Sequence, residues 1–501
     1  MTRAVRRWIA LILSFVLPAA VAMAGEEQNV VPVTPWMILP FVVLLLAIAL
    51  APFINRHWWE NNYPLVAAIL GIITIVYYLA VLENGARLLD TGMEYISFIC
   101  LIGSLFVVSG GIHIRIRGRS TPLANVFLLG IGAVVSNFVG TTGASMILIR
   151  PFIRVNRYRI RPYHIVFFIF IVSNAGGALT PIGDPPLFLG YLRGIPFFWV
   201  FQQVWVKWLV AMAGIFGAFY FIDRREFLAL PSAVRHGAEG SEEEGEVSGS
   251  QNIVFLLLIL VAVFITNPPF LREAFMILAA AGSYFTTHDD IHKKNDFNFT
   301  PIKEVAILFA GIFATMIPAL DWLELNAGTI GIRSPGQFFW GSGILSSFLD
   351  NAPTYLNFLS AQIGLLVSPD TVHQVQHLIE THGADIATVS GAHAAEIRNT
   401  FDTLLRYHYD MVASGNVPVE DITTSCLLGN HPLFVQAISL GAVFFGACTY
   451  IGNGPNFMVK SIAEQSGVEC PSFFGYIVRY TLPVLIPVFA IVWLLFFSGL
   501  I

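Results

Sequence analysis

Ten long apolar segments dominate the chain and limit what it can fold into. Most are close to the roughly 20 residues that an α-helix needs to cross a bilayer, and 273–288 is marginal. The ten segments are 36–53, 63–82, 96–112, 164–190, 197–222, 251–268, 273–288, 303–323, 430–460 and 474–498. Because 56 % of the residues are hydrophobic and only 12 % are charged, the sequence predicts an all-α polytopic membrane protein and excludes a soluble enzyme.

The first 24 residues have the pattern of a signal peptide. Three arginines precede an apolar run over 8–17, and Ala22-Met-Ala24 stands directly before Gly25. This pattern predicts cleavage after Ala24, and an uncleaved first membrane helix is the alternative. Both interpretations place Gly25 outside the cytoplasm.

Two further apolar stretches, 122–149 and 337–360, carry polar, glycine and proline residues at their centres. Arginines flank the first stretch on both sides, and no acidic residue occurs from Tyr95 to Gly183. Both flanks are therefore expected in the cytoplasm. A segment with both ends on one side is a re-entrant hairpin, and the glycines of 140–143 permit a tight turn at its tip.

When both stretches are treated as hairpins, the chain begins and ends outside the cytoplasm. In this map most Lys and Arg residues of the loops fall on the cytoplasmic side, as the positive-inside rule requires. Together with the signal-peptide pattern, the map predicts a multi-pass protein of the bacterial inner (plasma) membrane.

Two motifs recur in the second half of the chain. Residues 136–145 align without gaps with 346–355, and 179–186 align with 448–455. The offset rises from 210 to 269 residues because the second half holds a polar insertion over 361–429. Each half then contains five spans and one hairpin. Because five is an odd number, the two halves insert with opposite orientation and form inverted repeats.

The predicted organisation has four parts and one insertion. They are a signal peptide (1–24), a first inverted repeat (25–222), a cytoplasmic linker (223–250) and a second inverted repeat (251–501) with a periplasmic insertion (361–429). The linker contains the acidic run 240–246, which is typical of a flexible, solvated connection.

The insertion contains several histidines. His373 and His377 are four residues apart, a spacing that places two metal ligands on one helical face. No compact ligand signature accompanies them. A solvated amphipathic cap is therefore the favoured interpretation, and a metal site is the alternative.

Two of the apolar spans cannot remain uninterrupted helices. Residues 173–187 and 446–456 contain prolines, glycines and polar side chains inside otherwise apolar sequence. Each span is expected to break near the middle of the membrane and to line a cavity with helix ends and free carbonyl groups. Opposed helix ends suit an anion or a cation, so this geometry does not select the sign of the substrate.

Two carboxylates lie where the apolar segments are interrupted. Asp184 lies in the first broken span and Asp350 at the tip of the second hairpin, while their repeat partners are Asn453 and Gly140. A carboxylate at membrane depth is costly unless it is paired or hydrated, and it marks an ion or proton pathway. The structural alternatives are a turn cap for Asp184 and a hairpin cap for Asp350.

Neutral oxygen ligands complete the candidate site for ions or substrate. Oxygen atoms suit hard cations, and protonation of a shared carboxylate would compete with cation binding, which gives antiport by mass action. Beside the two aspartates, the candidates are Asn174, Thr180, Asn351, Thr354, Thr449, Asn453 and Asn456, with Thr141, Thr142 and Ser145 at the first hairpin.

Three of these motifs resemble the ion transporter superfamily of secondary carriers. They are the string from Asn174 to Pro186, the string from Asp350 to Thr354, and the string from Gly452 to Asn456. The resemblance covers essentially the whole chain after the signal segment. The overall likeness is to the sodium:proton antiporter and citrate-transporter branch.

The resemblance implies two inverted repeats with re-entrant hairpins, a homodimer and elevator-like movement. It also implies a Na⁺ site at each hairpin tip, and the residues that would hold Na⁺ are Asp184, Thr180, Asp350, Asn351 and Asn453. Carboxylate-transporting members use a Ser-Asn-Thr tip in both halves. This chain instead has Gly-Thr-Thr-Gly at 140–143 and Asp-Asn-Ala-Pro-Thr at 350–354, which weighs against a dicarboxylate substrate.

We therefore predict a secondary active transporter that exchanges Na⁺ for H⁺ by alternating access. The alternative is a cation-coupled symporter of citrate or another carboxylate or anion, in which hairpin hydroxyls and helix N-termini bind the substrate. A passive channel is a further alternative, against which the paired broken helices argue. No nucleophile with a base and no metal cluster stands within the predicted spans, so an enzyme is not expected.

The expected partners follow from the same features. They are the lipid bilayer, a second copy of the chain, and small ions or a carboxylate substrate. Na⁺ and H⁺ are expected as transported or coupling ions, without any other cofactor. Because the net charge is −5 and the basic residues lie in short loops, nucleic acid is not an expected partner.

Overall fold

The computed structural model describes most of the chain. The described residues are 31–115, 120–231, 246–265, 268, 270–295, 297–329, 331–381, 389–391 and 393–499. The predicted signal peptide and nearly all of the acidic run 240–246 lie outside these residues.

Helices form almost all of the first half. They are α1 (Leu39–Ile54), α2 (Arg56–Ala80), α3 (Gly85–Gly110), α4 (Pro122–Val155), α5 (Pro162–Ile171), α6 (Pro185–Leu192) and α7 (Phe197–Ala229), with 3₁₀ turns at Pro35–Ile38 and Ala175–Gly177. Polar side chains cap several of them: Asn55 accepts a bond from the Trp58 amide at the start of α2, and Thr121 accepts one from the Ala124 amide at the start of α4.

The second half is also helical. Its elements are α8 (Asn252–Ala262), α9 (Leu271–Thr286), α10 (Asp289–Lys294), α11 (Thr300–Asn326), α12 (Pro335–Ser346), α13 (Asn351–Leu366), α14 (Pro369–Glu380), α15 (Ala394–Tyr407), α16 (Tyr409–Ser414), α17 (Val419–Asn430), α18 (Pro432–Gly446), α19 (Gly454–Gln465), α20 (Phe473–Tyr476), a π-helical stretch (Ile477–Leu485) and α21 (Ile486–Phe496), with a 3₁₀ turn at Ala327–Thr329. The strands β1 (His113–Arg115) and β2 (Glu246–Ser248) form a short antiparallel ribbon between the loop after α3 and the chain before α8.

Seven helical segments of the described part are long and apolar enough to cross a membrane. An eighth span is counted if α17 and α18, which are bent by 99° at their junction, form one unit. Large apolar side chains cover the outer faces of these helices; Ile69 is 51 % exposed and Phe221 is 70 % exposed. Such surfaces are stable only against lipid. The chain is therefore an all-α, multi-pass membrane protein.

Helix α4 folds back on itself at Gly140, whose φ of +76° interrupts the helix. The Ser120 hydroxyl, before the first half, lies 2.6 Å from Asn156 Oδ1, after the second half. Asn125 donates to the same oxygen at 2.8 Å. Because these residues lie on opposite sides of Gly140, the two halves of α4 run antiparallel. They form the predicted first hairpin, with its turn at the predicted tip.

Helices α12 and α13 form the second hairpin. The rings of Phe338 and Phe358 pack against each other with centroids 6.0 Å apart. The turn over 347–350 joins the two helices, and the Asp350 side chain caps α13 by accepting the Ala352 amide at 3.1 Å. Asp350 thus serves as the hairpin cap that was its structural alternative.

Both predicted broken helices are present. The first stops at the end of α5 and restarts at α6, and the second stops at the end of α18 and restarts at α19. Asp184 is the N-cap residue of α6 and Asn453 is the N-cap residue of α19. Prolines follow each cap within two residues, where the missing amide hydrogen costs nothing. The two breaks face each other at the centre of the molecule.

The helices pack in two groups. Helices α1, α2, α3, α8, α9 and α11 form one, and the two hairpins, the broken helices, α7, α20 and α21 form the other. The groups meet where α11 packs on α13, where α3 packs on α4 and where α3 packs on α6. Both hairpins and the second half of the first broken helix therefore contact the first group.

The insertion between α13 and α18 is a small helical cap, α14 to α17. It has a hydrophobic core of its own, formed by residues that include Val375, Leu378, Phe401, Leu404 and Ile422. Thr424 of α17 donates to the Arg193 carbonyl at 2.6 Å, which docks the cap on the loop after α6. Within the described residues, no group of three or more His, Cys, Asp or Glu side chains could hold a metal ion.

Candidate functional site

Asp184 is the centre of a buried polar network between the two breaks. Its side chain has no exposed surface. Thr141, at the tip of the first hairpin, donates to Oδ1 at 2.8 Å, and Asn351, at the tip of the second hairpin, donates to Oδ2 at 2.5 Å. Asn453 of the second break donates to Oδ1 at 3.2 Å. One carboxylate therefore joins both hairpins and both broken helices through uncharged donors.

Three asparagines extend this network across the two breaks. Asn453 lies 3.2 Å from Asn174 Oδ1, and Asn174 in turn donates to Asn456 Oδ1 at 2.6 Å. Asn456 donates to the carbonyl groups of Gly446 and Thr449 at 2.8 and 2.9 Å. The Asn456 amide thus donates hydrogen bonds to carbonyl groups that lack a helical partner at the break. These bonds stabilise the break.

Asn351 has a free acceptor beside the carboxylate. Its side chain is fully buried, and while Nδ2 donates to Asp184, Oδ1 has no hydrogen-bond partner among the described residues. A buried polar atom without a partner is costly. A carboxylate next to an unoccupied amide oxygen is the ligand chemistry that a hard cation prefers.

The contact between hairpin tip and broken helix has the same form in both halves. The Thr180 hydroxyl donates to the Asn137 carbonyl at 2.7 Å and accepts the Gly183 amide at 3.1 Å. In the second half, the Thr449 hydroxyl donates to the Ser347 carbonyl at 2.5 Å and accepts the Gly452 amide at 3.1 Å.

The residues of these two contacts correspond at the offsets of the predicted repeat. Thr449 and Gly452 follow Thr180 and Gly183 by 269 residues, and Ser347 follows Asn137 by 210 residues. The two threonines predicted as ligands therefore hold the hairpin tips against the breaks.

A close pair of glycines shapes each break. A Cβ on Gly183 would lie 2.1 Å from the Gly177 carbonyl oxygen, and one on Gly452 would lie 2.6 Å from the Gly446 carbonyl oxygen. Only glycine permits this approach of two backbone segments. The turns between the half-helices are compact for this reason, and they bring Asp184 and Asn453 to the centre.

The remaining predicted site residues lie around the network or outside it. Ser145 shares a hydrogen bond of 2.8 Å with Ser173, at the edge of the first break. Thr354 donates to the Asp350 carbonyl at 3.0 Å and lines an apolar cavity of about 470 Å³ between α1, α11 and the second hairpin. Thr142 lines a separate small cavity beside the first tip. Asp350, Thr142 and Thr354 thus make no hydrogen bond to the Asp184 network.

Sequence reasoning missed several polar residues that organise the site. Asn137 supports the first tip, since its side chain donates to the Gly176 carbonyl at 2.7 Å and accepts the Leu179 amide at 3.0 Å. Asn137 lies within the aligned segment 136–145, and this position was the available signal.

A second buried carboxylate, Asp223 of α7, closes the base of the first hairpin. It pairs with Arg159 and accepts hydrogen bonds from Tyr163 at 2.7 Å and from Asn125 at 3.2 Å. His164 Nε2 lies 3.2 Å from the same carboxylate. The sequence pattern assigns Asp223 to the linker, because the apolar span ends at residue 222; this boundary is wrong, since α7 continues to Ala229.

A family model described as "Putative citrate transport" matches residues 30–497 of the chain. No curated protein matches the chain. The match begins after the predicted signal peptide and includes both hairpins, both breaks and the insertion. Since it covers nearly the whole chain, this protein belongs to the family described as "Putative citrate transport".

Proposed function

We propose that this chain is a secondary active transporter that exchanges Na⁺ for H⁺ at Asp184. The observation that carries the proposal is the surroundings of this carboxylate, which is fully buried and receives its hydrogen bonds from a hydroxyl and two amides. A buried carboxylate whose hydrogen-bond donors are all uncharged is stabilised by a bound proton or by a bound cation. Competition between the two ions at one group couples their movements in opposite directions.

Na⁺ would be bound by Asp184 together with Asn351 Oδ1, and Asn453 would orient the carboxylate. Two other residues are expected to hold Na⁺. Thr180 instead holds the first hairpin tip against the break, and Asp350, which caps α13, would become an ion ligand only after a movement of the second tip. Because the two ligands and the residues that donate hydrogen bonds to Asp184 together come from both hairpins and both breaks, a shift of either hairpin would change the affinity for the ion.

The two halves would act as inverted repeats around this site. The recurrence of the threonine contacts and of the glycine pairs at the expected offsets supports the repeat. Alternating access would then follow from movement of the hairpins and breaks against the other group of helices. We further propose that the protein works in the bacterial inner membrane, where a homodimer is the expected assembly.

Cation-coupled transport of citrate is the second candidate, because the family that matches the chain is described as "Putative citrate transport". In that case Asp184 would bind only the coupling ion. The substrate carboxylates would lie at the N-termini of α6 and α19, where the helix dipoles attract anions.

The test is a measurement of pH-gradient dissipation in proteoliposomes. Na⁺, Li⁺ and K⁺ are added first without any carboxylate and then with citrate, and the Asp184→Asn variant is the control. Dissipation by Na⁺ alone, absent in the variant, supports exchange of Na⁺ for H⁺. A response that requires citrate supports the symporter, and an unchanged response of the variant excludes Asp184 as the coupling group.

A further inference from the structure

Helix α13 carries a line of buried polar side chains that starts at the site. Asn351, Tyr355 and Gln362 follow one another at intervals of four and seven residues, which places them on one face of the helix. Each is fully buried. Asn351 Oδ1, the Tyr355 hydroxyl and Gln362 Oε1 all lack a hydrogen-bond partner among the described residues.

Helix α18 presents two more such groups to the same interface. The Ser439 hydroxyl and Gln436 Oε1 also have no partner in the described part of the chain, although both side chains are buried. Ser439 lies close enough to the Tyr355 hydroxyl to interact with it, although the two hydroxyl groups do not have the geometry of a regular hydrogen bond. Seven residues after Tyr355 in α13, Gln362 Nε2 donates to the Phe434 carbonyl of α18 at 2.8 Å. The two helices are therefore antiparallel, and Asn351, Tyr355, Gln362 and Ser439 lie along their contact. Gln436 is three residues from Ser439 and lies on the same side of α18.

We name this contact the α13–α18 seam and define it by Asn351, Tyr355, Gln362, Gln436 and Ser439. Helix α6 bounds it on one side, since a Cβ on Gly190 would lie 2.5 Å from the Tyr355 hydroxyl. On another side, Gln436 Nε2 donates to Gln203 of α7 at 3.1 Å. The seam begins at Asp184 and ends where α13 meets the insertion.

All five side chains of the seam present an oxygen atom that can accept a hydrogen bond. Each buried polar atom without a partner destabilises the fold, so native proteins hold few of them. Five along one region, of which only the Tyr355 and Ser439 hydroxyl groups lie close enough to interact with each other, are therefore not explained by packing alone. Three are amide oxygens, which only accept hydrogen bonds, and two are hydroxyl groups. Such a lining suits water and cations, which present hydrogen or positive charge to oxygen, better than a carboxylate, to which only the two hydroxyl groups could donate.

We propose that the α13–α18 seam is a hydrated access route by which cations and protons move between Asp184 and the face of the protein that carries the insertion. The route rests on the proposed function of Asp184 as the ion site. Its polar oxygens would replace part of the hydration shell of a passing cation. Tyr355 and Ser439 are its midpoint.

The first test is the accessibility of the seam to a water-soluble thiol reagent. The native cysteines (Cys100, Cys426, Cys448 and Cys470) are replaced by serine or alanine, and Ser439→Cys or Ala437→Cys is introduced. Both positions are buried in α18, but only Ser439 belongs to the seam. The purified protein in lipid nanodiscs is treated with a trimethylammonium-ethyl methanethiosulfonate reagent, and the rate of labelling is measured.

A hydrated seam predicts labelling at Ser439→Cys that is faster by about tenfold or more, because only a solvated thiol ionises and reacts. Equal, slow rates at both positions would overturn the route. No transport is measured, so this result is independent of the proposed exchange. Failure of the exchange itself would instead appear as unchanged transport in Asp184→Asn.

The second test compares substitutions of two tyrosines in the protein that retains its native cysteines. Tyr355→Phe removes a hydroxyl that makes no regular hydrogen bond, whereas Tyr191→Phe removes one that donates to the Val263 carbonyl at 2.9 Å. We expect Tyr355→Phe to keep or raise the melting temperature and to slow Na⁺-dependent transport severalfold. We expect Tyr191→Phe to lower the melting temperature and to retain the transport rate per folded molecule. Full transport in Tyr355→Phe contradicts the route.

Discussion

Asn351 donates a hydrogen bond of 2.5 Å to Asp184, which lies 167 residues earlier in the chain. This bond joins the tip of the second hairpin to the start of α6. It also leaves the Asn351 oxygen free beside the carboxylate. The hairpin and the broken helix thus meet at the group proposed to bind the ion, and movement of one alters the ligands of the other.

Substitution of the two aspartates should have unequal effects. Asp184→Asn removes the charge at the centre of the network, and we expect cation-dependent transport to be abolished, because the ion loses the buried charge that it pairs with. Asp350→Asn keeps the cap of α13, because asparagine is an equally good N-cap residue. We expect a smaller loss, in pH-gradient assays corrected for protein amount. Equal losses would show that Asp350 shares the ion site.

The two threonines of the first tip provide a matched pair. Thr141→Val keeps the shape of the side chain but removes the hydrogen bond to Asp184, which contributes about 1.5–3 kcal/mol because its acceptor is charged. We expect the half-saturating Na⁺ concentration to rise about tenfold. Thr142→Val, which makes no bond to the network, should change it less than twofold by the same relation. The measurement is transport rate against Na⁺ concentration, and a larger effect of Thr142→Val would move the site to the neighbouring cavity.

The glycine pair at the first break should not tolerate a methyl group. Gly183→Ala places Cβ 2.1 Å from the Gly177 carbonyl oxygen, so the turn must open, at a cost of about 3 kcal/mol or more. Gly454→Ala is the control, because nothing lies within 4 Å of its Cβ position. Melting temperatures in detergent should fall for the first variant and stay unchanged for the second. A normal melting temperature of Gly183→Ala would contradict the described turn.

An ion pair connects the loop after α6 to the other group of helices. Arg193 Nε lies 2.8 Å from Glu94 of α3, and both side chains are largely buried, at 13 and 15 % exposure. We expect Glu94→Gln to lower stability by about 2–3 kcal/mol, because it leaves a buried guanidinium with one partner fewer. Glu464→Gln breaks an exposed pair with Lys460 and should cost less than about 0.5 kcal/mol. Thermal melting in detergent compares the two, and similar shifts would show that the Arg193 pair does not stabilise the contact.

The architecture was largely predictable from local sequence. Lipid offers no hydrogen bonds, so long apolar segments must be helices, and a span with several prolines and glycines must break. The hairpin turn at Gly140 and the breaks before Asp184 and Asn453 follow from these rules, and the structure contains all three. Most of the asparagines and threonines of the network were identified for the same reason: they are polar residues in apolar sequence.

The sequence by itself determined which segments are helical, where they are interrupted and which polar residues stand at the interruptions, because these properties depend on neighbours along the chain. Only the tertiary structure decided that Asp184 lies at the centre while Asp350 caps a helix. It also revealed Asp223 at the base of the hairpin and the line of oxygens from Asn351 to Gln362. Hydrogen bonds between residues more than a hundred positions apart depend on how the helices pack, and no local pattern encodes that packing.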